Sequence, residues 1–375
     1  MTSRMSLAYL CLEAPREGQA SYVHVHEIIS GLTKRGWTVD LIAPSYSGEW
    51  RRPGLMARVL QYAAMQISLA FKLRRYCAVY VRAHPLAFPL ACCARLLGIP
   101  LVHEVNGTYG DLYVAYPGAR RARRYLDAMQ RQQFRWAAGV TCVTPQLARW
   151  VRDEVDDRPI PVTTIANGAN VELFSPSAPI SDAVSGRLPE KYVVFFGGLT
   201  RWHGIPQMLA ALKTRTWPKT VSLVVVGDGP EAPRLAKAAA SDSRIVLLGR
   251  LPYATVGGIV ARAIAGLVPI SDPDGRSSSA GLAPLKLYET LACAVPALVS
   301  DFPGQADLVR EHDCGICFAP DDGEALASAV AAVDADPAAA RAMGQRGAAA
   351  VRSHHSWDSR ARDTSDFLAR IQAPE

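Results

Sequence analysis

The sequence predicts an α/β protein of two doubly wound domains, each a parallel sheet with helices on both faces, facing one another across a cleft. Three observations carry this prediction. The chain has 375 residues, more than one compact core ordinarily holds, so two domains are the natural division. Short runs rich in Val, Ile and Leu alternate with helix-length segments almost from end to end, the pattern of βαβ units whose strands are buried on both faces. A loop rich in Ser and Pro at 175–191, SPSAPISDAVSGRLPEK, separates two such series and is the expected linker. The expected domains are therefore 1–180 and 190–355.

In the first series strands are expected at Leu7–Leu12, Thr38–Ala43, Ala78–Arg82, Pro100–Val105, Gly139–Val143 and Val162–Ile165. The first crossover reads as a helix over Ser21–Arg35, stopped by Gly36. Segment 54–71, GLMARVLQYAAMQISLAF, is apolar for much of its length but is interrupted by Arg58, Gln61 and Gln66. A membrane-spanning helix needs about 20 predominantly apolar residues, so this one is expected to be buried or interfacial. In the second series strands are expected at Tyr192–Phe196, Ser222–Gly227, Ile245–Leu248, Ala265–Pro269 and Val295–Ser300.

Composition excludes several classes. Hydrophobic residues make up 49% and charged residues 20%, ordinary for a globular enzyme and unlike a disordered chain. No repeat of solenoid period is present. The net charge of +7 is unevenly placed: residues 1–180 carry +8 and the remainder −1. The excess gathers at Arg51, Arg52, Arg58, Lys72, Arg74 and Arg75, and again at Arg120, Arg121, Arg123, Arg124, Arg131 and Arg135. Such clusters attract anionic surfaces or form a solvated basic face. The opening MTSRMSLAYLCLEAP lacks the order of charged, apolar and small-residue regions of a signal peptide, which points to the cytoplasm. Eight cysteines at irregular spacing read as reduced core residues. Cys314 and Cys317 form a lone CxxC, expected as a loop between strands rather than a metal site. Asp272 and Asp274 form a DxD, read as a loop.

Open parallel sheets bind ligands beyond the carboxyl ends of their strands, and the notable segments follow strands. In PREGQASYVHVHE (15–27), Gly18 makes a turn where backbone amides can approach an anion at the start of the following helix; a plain tight turn is the alternative. His24 on that helix is a candidate acid or base, or a packing residue. In PLVHEVNG (100–107), strand alternation puts Glu104 and Asn106 on one face. A carboxylate on a buried strand is either paired or functional, and both remain open for Glu104. In VVFFGGLTRWHGIPQML (193–209), a glycine turn at Gly197 and Gly198 is followed by Arg201 and His203, a combination suited to a pyrophosphate. In SSSAGLAPLKLYETLACAVPALVSD (277–301), amides at Gly281, Leu282, Ala283 and Leu285 can point at phosphate oxygens, Lys286 adds a positive charge, and Glu289 lies on nearly the same helix face. A Lys286–Glu289 surface pair is the alternative.

In order and spacing these segments resemble the family-4 retaining glycosyltransferases of GT-B fold over essentially the whole chain. RGWTV (35–39), PLVHEVNG, NGANVELFSP (167–176), the GGL and HG of 197–204, GDGPE (227–231) and APLKLYETLACAVPAL (283–298) each correspond to a phrase of that family. The resemblance implies transfer of a hexosyl-type sugar from a nucleotide diphosphate sugar to a saccharide or lipid-linked acceptor, in bacterial polysaccharide, lipopolysaccharide or glycoconjugate biosynthesis. It also implies that no metal or other cofactor is required. Glu289 would hold the donor ribose, and Lys286, the preceding amides and the Gly197–His203 turn the diphosphate. The backbone at Arg250 and Leu251 would meet the base, Gly18 would approach the phosphates from the first domain, and Asn106 would face the transferred sugar or the acceptor. The closing helix, about 356–375, would rejoin the first domain.

This chain departs from the family at four places. Gly198 and His203 stand where an arginine and a lysine are usual, so either Arg201 or Lys286 compensates or the site works with less fixed charge; Gly281 stands where the fuller motif has a glutamate; and Asn106 stands where many members have histidine. A nucleotide-sugar epimerase of the same fold and a catalytically inactive partner subunit are the rival readings. The basic first half adds the expectation of peripheral contact with the anionic inner face of the cell membrane; no nucleic-acid partner is expected.

Overall fold

The computed structural model describes residues 5–15, 18–45, 53–156, 159–272, 275 and 279–372. Arg51, Arg52, Asp274, Ser277 and Ser278 lie outside the described residues. The chain forms two compact units, Met1–Ala166 with Asp358–Glu375, and Asn167–Trp357. Segment 175–191, expected as the linker, lies inside the second unit. The reason is local: Ala169 pairs with Ser356, and a Cβ on Gly168 would stand 2.8 Å from the His355 carbonyl oxygen, so the chain is already bound to the second unit there.

The first unit is a six-stranded parallel sheet in the order β2-β1-β3-β4-β5-β6. Its elements are β1 (Ser6–Leu10), α1 (Ala20–Lys34), β2 (Thr38–Ile42), α2 (Leu55–Ala70), β3 (Ala78–Arg82), α3 (Phe88–Leu96), β4 (Leu101–Val105), α4 (Tyr109–Ala115), α5 (Arg123–Trp136), β5 (Gly139–Cys142), α6 (Pro145–Val155) and β6 (Val162–Thr164). The inner strands β1, β3, β4 and β5 are buried almost throughout, as helices on both faces require. Helix α2 is not buried: of its 16 residues Tyr62, Gln66 and Leu69 are the buried ones. Gln66 ties it to the loop before α3 and to α3 itself, donating to the Leu86 carbonyl at 2.9 Å and accepting from the Leu90 amide at 3.2 Å.

The second unit repeats the design, with order β12-β11-β10-β7-β8-β9, all parallel. It comprises α7 (Asp182–Ser185), β7 (Tyr192–Phe196), α8 (Ile205–Ala211), β8 (Ser222–Val226), α9 (Ala232–Ala239), β9 (Ile245–Gly249), α10 (Tyr253–Val260), β10 (Ala265–Val268), α11 (Leu285–Ala292), β11 (Ala297–Ser300), α12 (Gln305–His312), β12 (Gly315–Phe318), α13 (Gly323–Ala335) and α14 (Pro337–His354). One core holds Val193, Phe195, Met208, Trp217, Leu223 and Val330. The segment around the CxxC is a strand, not a loop: Cys317 is on β12 and Cys314 precedes it. An edge strand of four residues with one side half-exposed needs no long apolar run, which is why the pattern concealed it. All eight cysteines are free thiols. The last helix, α15 (Trp357–Gln372), packs on the first unit beyond its first residue. Its Phe367 and Ile371 sit so close over Gly139 that a Cβ there would meet them at 2.7 and 2.3 Å.

Candidate functional site

In the first unit, sheet register assembles a polar cluster from residues far apart in sequence. Arg82 on β3 is the direct partner of Glu104 on β4, and its guanidinium donates to Glu104 Oε1 at 2.9 Å and to Glu13 Oε2 at 3.0 Å. His24, on the inward face of α1, places Nε2 2.9 Å from the same Oε1. Asn106 donates to Oε1 at 2.7 Å, and the Tyr9 hydroxyl to Oε2 at 2.9 Å. Burial by itself would raise the Glu104 carboxyl, but His24 and Arg82 outweigh it and hold the group well below the usual carboxylate range.

The three first-unit candidates, His24, Glu104 and Asn106, are thus in contact. Glu104 is 3% exposed, with three partners crowding Oε1 and a fourth on Oε2. It is an acceptor met by three groups at one oxygen and one at the other, an arrangement that suits a positioning residue. Gly18 makes its turn at φ 81° just before α1. Beside the Asn106–Gly107 turn lies a cavity of about 350 Å³ whose lining includes Glu13, Thr108, Tyr109, Asp111, Tyr116 and Gln130.

In the second unit the parallel register of β7 with β8 sets Phe196 opposite Val226, so the glycine turns after the two strands lie side by side. Gly227 is at φ 144°, and a Cβ on it would stand 1.9 Å from the Gly197 carbonyl oxygen; one on Gly229 would stand 2.4 Å from that of Leu199. The GDGPE phrase is therefore a backbone platform under the Gly197 turn. Gly227→Ala is expected to cost at least about 2 kcal/mol in urea-induced unfolding, since the left-handed backbone and the contact are both lost; an unchanged midpoint would refute the platform.

Helix α11 reaches that turn because Gly266 on β10 leaves room for Thr290. Lys286 is 8% exposed. Its Nζ lies 4.0 Å from the Phe195 ring centroid and 3.7 Å from where a Cβ on Gly197 would stand. It has no hydrogen-bond partner among the described residues. Burial pushes the ammonium down to about 7, with Glu289 opposing. Glu289 is also buried, and its Oε1 accepts from the Tyr253 hydroxyl at 2.5 Å. Tyr253 in turn packs on Phe174, ring centroids 5.2 Å apart.

His203 turns Nδ1 to the Gly198 carbonyl at 2.5 Å and to Thr200 Oγ1 at 2.9 Å. Burial and the neighbouring Lys286 hold it well below its ordinary value, so it brings no positive charge to the turn. Arg201 is exposed. Of the two compensating cations the sequence offers, Lys286 is the one held against the glycine turn.

Not every expected amide is available. The Leu282 amide donates to the Pro303 carbonyl at 2.8 Å and that of Gly197 to Val226 at 2.9 Å; a phosphate would have to displace them. A Cβ on Gly304 would stand 2.4 Å from the Leu282 carbonyl oxygen, so this loop is braced from α12. Gly281 adopts φ 67°, Ala283 accepts from Asn167 Nδ2 at 2.6 Å, and Leu285 opens α11. Arg250 and Leu251 follow β9, exposed and half-buried. Tyr253, Phe174 and Asn167 escaped the sequence analysis as site residues; only the phrase NGANVELFSP, which contains two of them, carried a signal. No group of three metal-ligating side chains exists among the described residues.

Residues 190–336 match the family Glycosyl transferases group 1, and residues 22–173 match Glycosyltransferase Family 4. Over 213 residues the chain is 29% identical to the lipopolysaccharide core biosynthesis mannosyltransferase LpcC of Rhizobium leguminosarum bv. viciae, covering 54% of this chain and 58% of that protein. The similarity thus spans little more than half of the relative's length. Among solved structures, a sucrose-phosphate synthase from Thermosynechococcus elongatus is similar with a TM-score of 0.79 at 18% identity, over 98% of each chain. Anabaena HepE in complex with UDP is similar with a TM-score of 0.71 at 14% identity, over 97% of this chain and 100% of that one. At these identities the two structures speak to the fold.

Proposed function

We propose that the chain is a glycosyltransferase that moves a hexosyl-type sugar, with retention, from a nucleotide diphosphate sugar bound by the second unit to a saccharide or lipid-linked acceptor bound by the first, a reading supported by the two family matches and the GT-B fold. The observation that carries this reading is the buried Lys286 ammonium, without a hydrogen-bond partner among the described residues and set against the Gly197 turn. A buried cation in that state is costly unless an anion completes it, and a diphosphate is the anion that fits beside a glycine turn. In this reading Glu289, three residues on and held by Tyr253, accepts the ribose hydroxyls. The complex of HepE with UDP and the lipopolysaccharide role of LpcC favour a nucleotide donor and a place in bacterial glycan synthesis.

In the proposed transfer the bond from the sugar's anomeric carbon to the diphosphate oxygen breaks and a bond to the acceptor oxygen forms on the same face. The acceptor's proton passes to the departing diphosphate. The chain's part is to stabilise the charge that develops there and to hold the reactants, with no metal or cofactor required. Lys286 does the first in this reading. Asn106 meets the sugar or acceptor, while Glu104 holds Asn106 and His24 in place.

A thermal-shift screen of UDP, GDP, ADP and their sugar conjugates tests the donor site. A saturating cognate nucleotide is expected to raise the midpoint by about 5–10 °C, and Glu289→Ala to abolish the rise. If none of them moves the midpoint, the inactive-partner reading replaces this one.

Peripheral contact with an anionic membrane is proposed on the charge of the first unit. Arg123, Arg131 and Arg135 of the second basic cluster are paired with Asp127, Glu154 and Asp156. Residues 50–103, by contrast, contain no carboxylate at all and eight Lys or Arg. The protein is expected to sediment with vesicles of phosphatidylcholine and phosphatidylglycerol at low salt and to be released by added salt; equal recovery on pure phosphatidylcholine would discard the idea.

A further inference from the structure

The 350 Å³ cavity of the first unit has a neighbour of opposite character. A groove of about 310 Å³ runs between α2 and α3, its walls supplied by Val59, Ala63, Ile67, Leu86, Pro89 and Leu90 among others. Tyr62 borders both spaces, so a molecule that crosses this one side chain passes from polar to apolar surroundings.

The two spaces differ in what they can bind. The cavity is lined by aromatic rings, Tyr109, Tyr113 and Trp150 among them, with carboxylates from Glu13, Asp111 and Asp127, and by no Lys or Arg among the described residues. Rings and carboxylates suit the faces and hydroxyls of a neutral saccharide and disfavour a phosphate. Gln130 also lines it. That side chain is 4% exposed, and its Nε2 finds no hydrogen-bond partner among the described residues, a donor whose burial is costly until a ligand oxygen meets it.

The groove opens onto apolar surface: Leu60 is 63%, Phe71 88% and Leu96 85% exposed. Leu60, Ile67 and Phe71 follow one another at helical spacing along a single face, and the same stretch of chain carries Arg58, Lys72, Arg74, Arg75 and Arg95 and no carboxylate. An exposed apolar patch rimmed by cations complements the acyl layer and anionic headgroups of a bilayer. Arg58 also stands over the ring of Tyr116, 4.9 Å from its centroid, at the lip of the cavity.

We propose that the acceptor is a membrane glycolipid bound in two parts, its saccharide in the cavity against Gln130 and its hydrocarbon chain in the α2–α3 groove, with Tyr62 between them. This rests on the reading of the first unit as the acceptor domain and narrows it to an amphiphilic substrate.

The test uses n-alkyl glucosides of four, six and eight carbons below their micellar concentrations, with dissociation constants from calorimetry. In the wild-type protein affinity is expected to rise about fourfold per methylene as the chain enters the groove. Ala63→Trp, at an exposed position on the groove wall, is expected to flatten this dependence and leave the nucleotide thermal shift unchanged. Gln130→Met is expected to weaken all three ligands alike, about tenfold, and to keep the slope. A flat dependence in the wild type, or an undiminished slope in Ala63→Trp, overturns the proposal. Failure here with an intact nucleotide shift removes the glycolipid and keeps the glycosyltransferase site; loss of the nucleotide response with the slope preserved does the reverse.

Discussion

Lys286→Met is expected to make the unliganded protein more stable and to disable it. The side chain's burial pushes its ammonium from the ordinary lysine range down to about 7. Between pH 7 and 10.5 the unfolded chain therefore binds the more protons, and wild-type stability should rise with pH across that window. Below about pH 7 both states are charged and the full cost of burying the charge is present. Methionine removes that cost, so the gain should be largest at and below pH 7, on the order of 2 kcal/mol or about 4–8 °C, and should vanish towards pH 10.5. Donor use should fall in the same variant by about 10²–10³ in kcat/KM, the usual consequence of removing one preorganised charge from a transferring group. In the wild type, donor affinity should weaken above pH 7, where binding must draw a proton onto Lys286. Differential scanning calorimetry from pH 6 to 10 and initial rates with the cognate donor check both halves. A variant that binds nucleotide like the wild type would move the diphosphate to Arg201.

Glu104→Ala should have the opposite signature, a first unit that unfolds early. The substitution leaves the Arg82 guanidinium, 9% exposed, with the half-exposed Glu13 as its one ion-pair partner among the described residues, and strips His24, Asn106 and Tyr9 of their common acceptor. Breaking one side of a buried pair costs about 3–5 kcal/mol, here read as a loss of the first-unit transition in urea and faster amide exchange along β4. Because Glu104 is held below the usual carboxylate range, its stabilisation is present above the unfolded carboxyl value of about 4.3 and is lost only as pH falls through the depressed folded value. Stability between pH 5 and 8 should therefore not report its titration. An alanine variant as stable as the wild type would show that the cluster is not structural, and would return Glu104 to candidacy as a proton-transfer group.

The two sites were legible in the sequence to different degrees. APLKLYETLACAVPAL announced a helix preceded by a small-residue loop, and Lys286 and Glu289 sit together on it because three positions along a helix are neighbours. The hydrogen bond from Tyr253 to Glu289 joins residues 36 positions apart, and that from Asn167 to Ala283 joins residues 116 apart; no local pattern encodes either. His203 looked like a second cation and is neutral, because its charge depends on burial and on Lys286 beside it. Leu282 looked like a free amide donor and is engaged by Pro303, a partner that arrives only when β11 has folded beside β10. The candidates His24, Glu104 and Asn106 could be named singly from strand alternation and a helix start, but not as one cluster.

The sequence by itself determined the architecture: strands buried on both faces must be written as continuous apolar runs, and glycines are required where two backbones approach, as at Gly227. It also determined the charge asymmetry, since counting needs no coordinates. The short edge strand β12 escaped for the converse reason, being too little buried to leave a pattern. Only the tertiary structure decided which charges are buried, which polar atoms lack partners and which apolar surfaces stay open. Those properties arise from distances between segments remote in the chain, and desolvation, which sets the state of Lys286, His203 and Glu104, belongs to the folded environment and not to any residue alone.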